Sequence, residues 1–358
     1  MNVCIIGNGL SSLALAKALV NQNIYVTLIS QKTNKNIDQS RTIGISKNNI
    51  EYFNRNIMNI EKLLWKLNKI EIYTDNLKNE KILNFEKNNE QIFSILKNSE
   101  LYELLDKQLS KNNLFKKKFF KKKIFSLIKK FDIIINCDYF HEFTQKYFSK
   151  KIIKKYNSIA YTTFIKHKKI PNKIATQIFT KKGPLAFLPI SDTETSIVYS
   201  VNNFNKKENN ILELIKKYNF KYQIIKINKI NNFELNSLNL RSYYFKNILA
   251  FGDLLHKIHP LAGQGFNMTI RDIKIFVNII KNKVDLGLPL DSSVNEEFEK
   301  KIKHKNFIFS SGIDLIHNFF LIEEKTTNNI LSKSVQFLGK NSSINRALVK
   351  IADEGILI

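Results

Sequence analysis

Short unbroken apolar runs and helical stretches alternate at the start of the chain. Residues 1–6 include Val3-Cys4-Ile5-Ile6 without a polar interruption, which predicts a strand covered on both faces. Gly7-Asn8-Gly9-Leu10-Ser11-Ser12 follows, and residues 13–20 are rich in Ala and Leu, as a helix requires. Residues 24–29 supply the next strand and complete a βαβ unit with parallel strands. Apolar spacing predicts helices over 61–67 and 100–109, and another buried-type strand over 132–137. From 161 to 201 the pattern changes to short strands, including 183–190 and 196–201, which predicts a largely antiparallel sheet. Residues 248–251 form a further apolar strand ending at Gly252-Asp253. Residues 268–280 read as a helix with Ile270, Ile273, Phe276 and Ile280 on one face, and helices of moderate amphipathicity follow from 295.

Composition narrows the class. The chain has 358 residues, 43% of them hydrophobic, enough for two or three domains with a substantial core. No run approaches the roughly 20 apolar residues that cross a bilayer. The N-terminal run meets glycines too early for a signal peptide and lacks a basic leader, so a cytoplasmic protein is expected. The formal net charge is +26, yet the only arginines are Arg41, Arg55, Arg241, Arg271 and Arg346. Nucleic-acid readers favour the bidentate arginine fork, so no nucleic-acid partner is expected. Loose attraction of the lysines to an anionic membrane surface is compatible with the charge. Cys4 and Cys137 lie in runs that read as buried strands, without metal-type spacing, as in a reducing compartment.

Gly7-x-Gly9-x-x-Ser12 lies between a strand and a helix. Gly7 allows a tight turn, Gly9 lets the backbone approach a pyrophosphate, and Ser12 is small enough for close helix–strand packing. Free N–H groups and the helix dipole then suit the phosphates of a dinucleotide. Ser30 occupies the end of the second strand, where a ribose-binding carboxylate is usual. A neutral hydroxyl bond there contributes about 1 kcal/mol, against roughly 1.5–3 for a charged one.

The run from Gly252 to Asn267, Gly-Asp-Leu-Leu-His-Lys-Ile-His-Pro-Leu-Ala-Gly-Gln-Gly-Phe-Asn, follows a strand and opens a helix. It resembles the second FAD fingerprint of the para-hydroxybenzoate-hydroxylase-type aromatic monooxygenases, most closely that of the ubiquinone-biosynthesis hydroxylases. Asp253 can accept bonds from ribityl hydroxyls, and the Ala262-Gly263-Gln264-Gly265 loop leaves N–H groups at a helix N-terminus, suited to negative charge on a reduced flavin. His256 and His259 have no further ligand cluster, so no metal is expected. Ser40-Arg41-Thr42-Ile43-Gly44-Ile45-Ser46 is similar to the family's arginine-bearing segment near the flavin. Lys97-Asn98-Ser99-Glu100-Leu101 resembles the start of the helix whose polar residue contacts FAD. Gly183-Pro184-Leu185-Ala186-Phe187-Leu188-Pro189 matches the substrate-domain strand, and Ala352-Asp353-Glu354-Gly355 the closing motif. Two departures stand out: Tyr139 after Asp138, where the family has glycine, and a short region over 116–130.

The resemblance implies an α/β fold. A Rossmann-like FAD-binding domain with a mixed or parallel sheet would comprise residues 1–70, 92–155 and 240–290. An interleaved antiparallel substrate sheet would take 71–91 and 156–239, with C-terminal helices over 291–358. It also implies FAD held by Gly7, Gly9, Ser12, Ser30, Arg41, Asn98, Asp253, Gly263, Gln264, Gly265 and Asn267. Pro260, Gly263, Gln264 and Gly265 would border the reaction centre by position and backbone, and no base is assigned. The implied reaction is hydroxylation of a prenylated phenol in ubiquinone biosynthesis, with NAD(P)H as electron donor and O₂ as oxidant, through a flavin hydroperoxide. Such a protein would sit in the cytoplasm, peripherally at the inner face of the cytoplasmic membrane or in a biosynthetic complex. Two alternatives remain at this stage: another FAD oxidoreductase of the same fold, such as a prenyl reductase, and a non-catalytic member of a biosynthetic complex.

Overall fold

The computed structural model describes residues 1–30, 39–75, 80–86, 90–119, 130–202, 211–259, 263–326, 330–341, 343, 346–347, 350–351 and 353. The continuous apolar runs become the centre of a six-stranded sheet in the order β16-β17-β9-β1-β2-β8. β1 (Asn2–Ile6) pairs in parallel with β2 (Tyr25–Ser30) on one side and β9 (Ile133–Asn136) on the other. β2 continues in parallel to β8 (Phe115–Phe119), and β9 to β17 (Ile248–Ala250), which β16 (Tyr244–Phe245) closes in the opposite direction. Val3 to Ile6 are buried on both faces of the strand, and an unalternating sequence is what such a position demands.

Helix α1 (Leu10–Val20) shows no polar stripe. It buries Ser12 to Ala16 and Ala18 to Val20 between the sheet, α3 (Asn98–Ser110) and α6 (Gln264–Asp285).

A small antiparallel sheet, β3 (Thr42–Ser46), β7 (Phe93–Lys97) and β4 (Trp65–Leu67), lies between this layer and the largest sheet. The expected helix over 61–67 is not formed. Residues Glu61–Leu63 make a single 3₁₀ turn, and Trp65 and Leu67 pair with Ile95 and Phe93 instead. The Trp65 indole N–H donates to the Asn172 carbonyl at 2.7 Å, so tertiary pairing overrides a short apolar spacing that suits either element. Ser46 precedes α2 (Lys47–Asn56), a helix that turns Ile50 and Phe53 into the core.

The third sheet runs β18-β15-β10-β13-β12-β11-β5-β6, with β14 also on β10. Its strands are β5 (Lys69–Thr74), β6 (Glu80–Glu86), β10 (Lys151–His167), β11 (Ile174–Thr180), β12 (Gly183–Pro189), β13 (Glu194–Asn202), β14 (Ile224–Ile227), β15 (Asn231–Leu240) and β18 (His256–Lys257). It is antiparallel except where β11 meets β5. β10 is a single strand of 17 residues, bulged between Lys155 and Ser158, where Asn157 takes φ 52°. Short α4 (Glu142–Tyr147) and α5 (Ile211–Tyr218) flank the sheets. The C-terminal part is α7 (Ser292–Thr326) and α8 (Ile330–Lys340), which lies on β6. Among the described residues no helix is long and apolar enough to cross a membrane.

Candidate functional site

The first glycine loop leaves β1 with Gly7 at φ 115°, and its N–H bonds the Ile29 carbonyl at 2.8 Å. A Cβ on Gly7 would lie 3.3 Å from Ser12 Oγ and 3.4 Å from the backbone of Cys137 and Asp138, a tight fit at a φ that side chains rarely adopt. Gly9 differs: it caps α1 in an extended conformation, and nothing lies within 4 Å of where its Cβ would be. The first turn of α1 carries no acidic residue and no side-chain cap, which leaves its positive end open to an anion.

The second loop meets the first. Gly252 follows β17 at φ 64°, and its Cβ would lie 2.8 Å from Ser11 Cβ. That contact sets the exposed carboxylate of Asp253, carried by a 3₁₀ turn, beside the start of α1. Gly263 caps α6 at φ 64°, within 3.4 Å of the backbone of Gly44 measured from its absent Cβ. Gly265, on the first turn of α6, again faces open space.

Asn267 fastens the two segments. Its fully buried carboxamide donates to Gly44 O at 2.9 Å and Gly263 O at 3.2 Å. It accepts from Ser46 N at 3.0 Å and Asn49 Nδ2 at 2.9 Å. The side chain is therefore spent on holding β3 against the loop. Asp353 adds a second tie, accepting from Ser46 Oγ through its carbonyl and from Asn48 N through its carboxylate, both at 3.0 Å. Arg41 lies at the edge of β3 with its guanidinium 4.2 Å from the Phe233 ring, and its carbonyl accepts from Asn98 N, the first residue of α3. Ser40–Thr162 at 2.8 Å and Thr42–Ser196 at 3.0 Å join the same segment to the large sheet.

Ser30 Oγ and Gln264 Oε1 are buried and have no hydrogen-bond partner among the described residues. Each costs about 1–3 kcal/mol if nothing meets it, so both mark places where a polar ligand atom is wanted. Open space over Gly9 and Gly265, a bare helix N-terminus and two orphaned oxygens fit an extended dinucleotide. Pro260, Leu261 and Ala262 lie outside the described residues, as do Gln31, Lys32, Ala352, Glu354 and Gly355.

Tyr139 does not adopt a positive φ. The turn is made instead by Asp138, whose carboxylate accepts from Phe140 N at 2.9 Å, so the glycine that the resemblance leads one to expect is not needed here.

The histidines of the second loop have separate partners. His256 Nε2 meets Asp272 Oδ2 at 2.5 Å, and Asp272 Oδ1 accepts from Asn306 at 3.1 Å. His259 packs against the rings of Tyr156 at 5.0 Å and His317 at 4.3 Å, with all four nitrogens of the two histidines buried and unpartnered among the described residues. Burial, then the nearby His317 and Lys154, pushes His259 down to about 3. The Tyr156 hydroxyl donates to Asp314, and burial followed by that carboxylate raises its pKa. Sequence spacing gives no sign of this cluster, whose members come from β10, the second loop and α7. Burial also pushes the Cys4 thiol up to about 12, as expected of a buried strand residue.

Comparison with known proteins follows the same lines. The chain is 29% identical over 159 residues to the 3-demethoxyubiquinol 3-hydroxylase of Escherichia coli (strain K12), covering 42% of this chain and 40% of that protein. It is 23% identical over 198 residues to the mitochondrial ubiquinone biosynthesis monooxygenase COQ6 of Caenorhabditis elegans, covering 42% and 43%. The chain thus spans about two fifths of the length of the curated relatives it matches. No family model matches it. The p-nitrophenol 4-monooxygenase PnpA of Pseudomonas putida DLL-E4 superposes with a TM-score of 0.77 at 10% identity, over 97% of this chain and 96% of that one. HpxO of Klebsiella pneumoniae, solved with FAD and uric acid, gives 0.74 at 10% identity, over 99% and 96%. The fold is that of the flavoprotein monooxygenases. The α/β architecture expected from the two glycine loops is therefore the one observed, with a mixed central sheet, a largely antiparallel second sheet and C-terminal helices.

Proposed function

We propose that the protein is an FAD-dependent monooxygenase that hydroxylates the aromatic ring of a prenylated phenol in ubiquinone biosynthesis, using NAD(P)H and O₂. The observation that carries this reading is the meeting of the two glycine loops at Gly252 and Ser11, with open space over Gly9 and Gly265 and orphaned oxygens on Ser30 and Gln264. The names of the curated relatives supply the substrate class.

Gly7, Gly9 and Ser12 would let the pyrophosphate approach α1, and Ser30 would meet the adenosine ribose. Asp253 would accept from the ribityl hydroxyls. Arg41 and Asn98 would line the flavin, with Gly263, Gln264 and Gly265 presenting N–H groups to its pyrimidine edge. Asn267 holds this loop in place rather than reaching outward. FAD, when bound, supplies the chemistry that takes electrons from NAD(P)H and passes one oxygen atom of O₂ to an electron-rich ring. The chain's own task is to orient the ring and exclude water. The ties Ser40–Thr162 and Thr42–Ser196 close the arginine-bearing segment onto the large sheet for that purpose. The FAD-binding part would comprise 1–70, 92–155 and 240–290, the substrate part 71–91 and 156–239. A prenylated substrate suits a protein resting on the inner face of the cytoplasmic membrane.

Reconstitution tests the reading. Purified protein incubated with FAD should retain yellow flavin, oxidise NAD(P)H with a prenylated phenol, and yield a product heavier by one oxygen atom. Flavin retention with a hydrogenated product would identify a reductase, and protein that stays colourless would reject the flavin site.

A further inference from the structure

Helix α7 has an apolar face whose large side chains stand exposed among the described residues. Between residues 307 and 322 the sequence has no Lys, Arg or Glu and one Asp, Asp314, which is engaged by Tyr156 and Lys154, while His317 is buried. The inward face of this stretch is fully used. Phe309 packs with Ile258 and Met268, Ser310 bonds Asn239 at 3.0 Å, and Ile313 and Phe319 pack on Ile82 and Phe179. The outward face carries Phe307, Ile308, Leu315, Ile316 and Ile322, exposed by 49, 41, 69, 47 and 55%. Ile308, Leu315 and Ile322 are spaced by seven residues and so form one stripe along the helix. A run of large exposed apolar side chains on one face is not an ordinary surface.

The patch extends beyond the helix. Ile152 of β10 is 45% exposed and pairs with Asn239, the residue that bonds Ser310. Lys154, two positions on and on the same face of the strand, reaches Asn318 at 3.1 Å. Ile152 therefore lies alongside α7 at the level of the stripe. On α8, Phe337 is 77% exposed and Leu338 46%. Lys150, two positions before Ile152, and Lys333 and Lys340, one turn either side of Phe337 on α8, are exposed.

We infer that this face of α7, with Ile152 and the exposed end of α8, seats the protein on an anionic phospholipid surface. The inference rests on the membrane position proposed above, and it names the surface responsible. Charge selects the occupant. A second copy would bring another net charge of +26 against the first, whereas an anionic surface attracts the flanking lysines, each worth about fivefold in affinity. Apolar side chains entering the interface and lysines meeting headgroups are the two contributions that hold peripheral proteins. No spanning segment is involved.

The test is flotation of the full chain with vesicles of phosphatidylcholine alone or with about a third phosphatidylglycerol, at low and high salt. The wild type should float with the anionic vesicles only and be released by salt. Leu315→Glu/Ile322→Glu should reduce flotation about tenfold or more, and Lys333→Glu/Lys340→Glu severalfold, with circular dichroism and flavin retention unchanged in both. A double glutamate variant that floats like the wild type would overturn the assignment of this face. A wild type that floats with neither vesicle would overturn the membrane position itself, and with it this inference. Light scattering that shows a wild-type dimer dissociated by the glutamates would make a second copy the occupant and reject the lipid surface.

Discussion

Gly252 and Ser11 touch: a methyl group added to Gly252 would lie 2.8 Å from Ser11 Cβ and 3.0 Å from its hydroxyl. This contact binds the second glycine loop to the first turn of α1. Gly252 also sits at φ 64°, where side chains are disfavoured. Gly252→Ala should cost about 2 kcal/mol through strain and overpacking together. A lower thermal midpoint and weaker flavin retention are expected together, and a variant matching the wild type in both would show that the loops can part without consequence.

Asp253 allows a cleaner separation of binding from folding. It is exposed, and its carboxylate has no role in the packing of the turn. Asp253→Ala should weaken FAD binding ten- to hundredfold, or about 1.5–3 kcal/mol, while the flavin-free protein unfolds at its usual temperature. Flavin titration of the apoprotein measures the first effect. An unchanged dissociation constant would remove Asp253 from the site.

Ser30 carries the opposite signature. Its hydroxyl is buried and without a partner among the described residues, so it gives the apoprotein nothing. Ser30→Ala should leave apoprotein stability the same or slightly higher, yet lower flavin affinity by about 1 kcal/mol, roughly fivefold. Loss of stability without loss of affinity would place its partner within the chain.

Acid should unfold the protein through the buried histidines. An unfolded histidine takes up its proton near pH 6.5, whereas folded His259 is held down to about 3 by burial and by His317 and Lys154. The groups around it are Tyr156, Asp314, Lys154 and His317, and burial, then Lys154, lowers His317 in the same direction. Protons thus bind the unfolded state first. Stability is unaffected above about pH 6.5 and falls as pH drops toward 3, by about 1.4 kcal/mol per unit from His259 alone. Urea midpoints at pH 7.5 and about 5 measure the slope. His259→Phe should flatten it, and an equal slope in the variant would assign the acid sensitivity elsewhere.

Much of this site is legible in the sequence because its first half is local. The runs that became β1 and β2 are covered on both faces, and nothing but an unbroken apolar strand suits that position. Glycines at 7, 9, 252, 263 and 265 mark themselves by what a side chain would obstruct or fill. Other parts are invisible for a physical reason. α2 is polar over most of its length, and only Ile50 and Phe53 betray its inner face. The helical spacing at 61–67 is as compatible with a strand, and the partner that decides the matter, β7, lies about thirty residues away. The latch made by Asn267 needs Gly44, Ser46 and Asn49, which lie 223, 221 and 218 residues earlier in the chain. Local pattern cannot announce a bond of that kind.

The interleaving of the chain sets an order of events during synthesis. β1 emerges first, but its sheet lacks β9 until residue 136 and β17 until residue 250, and Ser11 waits for Gly252. At about 5–20 residues per second, the ribosome takes roughly 12–50 s to make the intervening 240 or so residues. Val3 to Ile6 lack a neighbour on one side until residue 136 is made, and β9 lacks its own outer neighbour until residue 250. A chaperone, or the nascent chain's own helices, must shelter an unfinished sheet edge, and a flavin held as proposed by the Gly263-Gln264-Gly265 loop would be captured only after α6 has left the exit tunnel. Cellular FAD shortage would then show as degraded newly made protein before it showed as inactive mature enzyme.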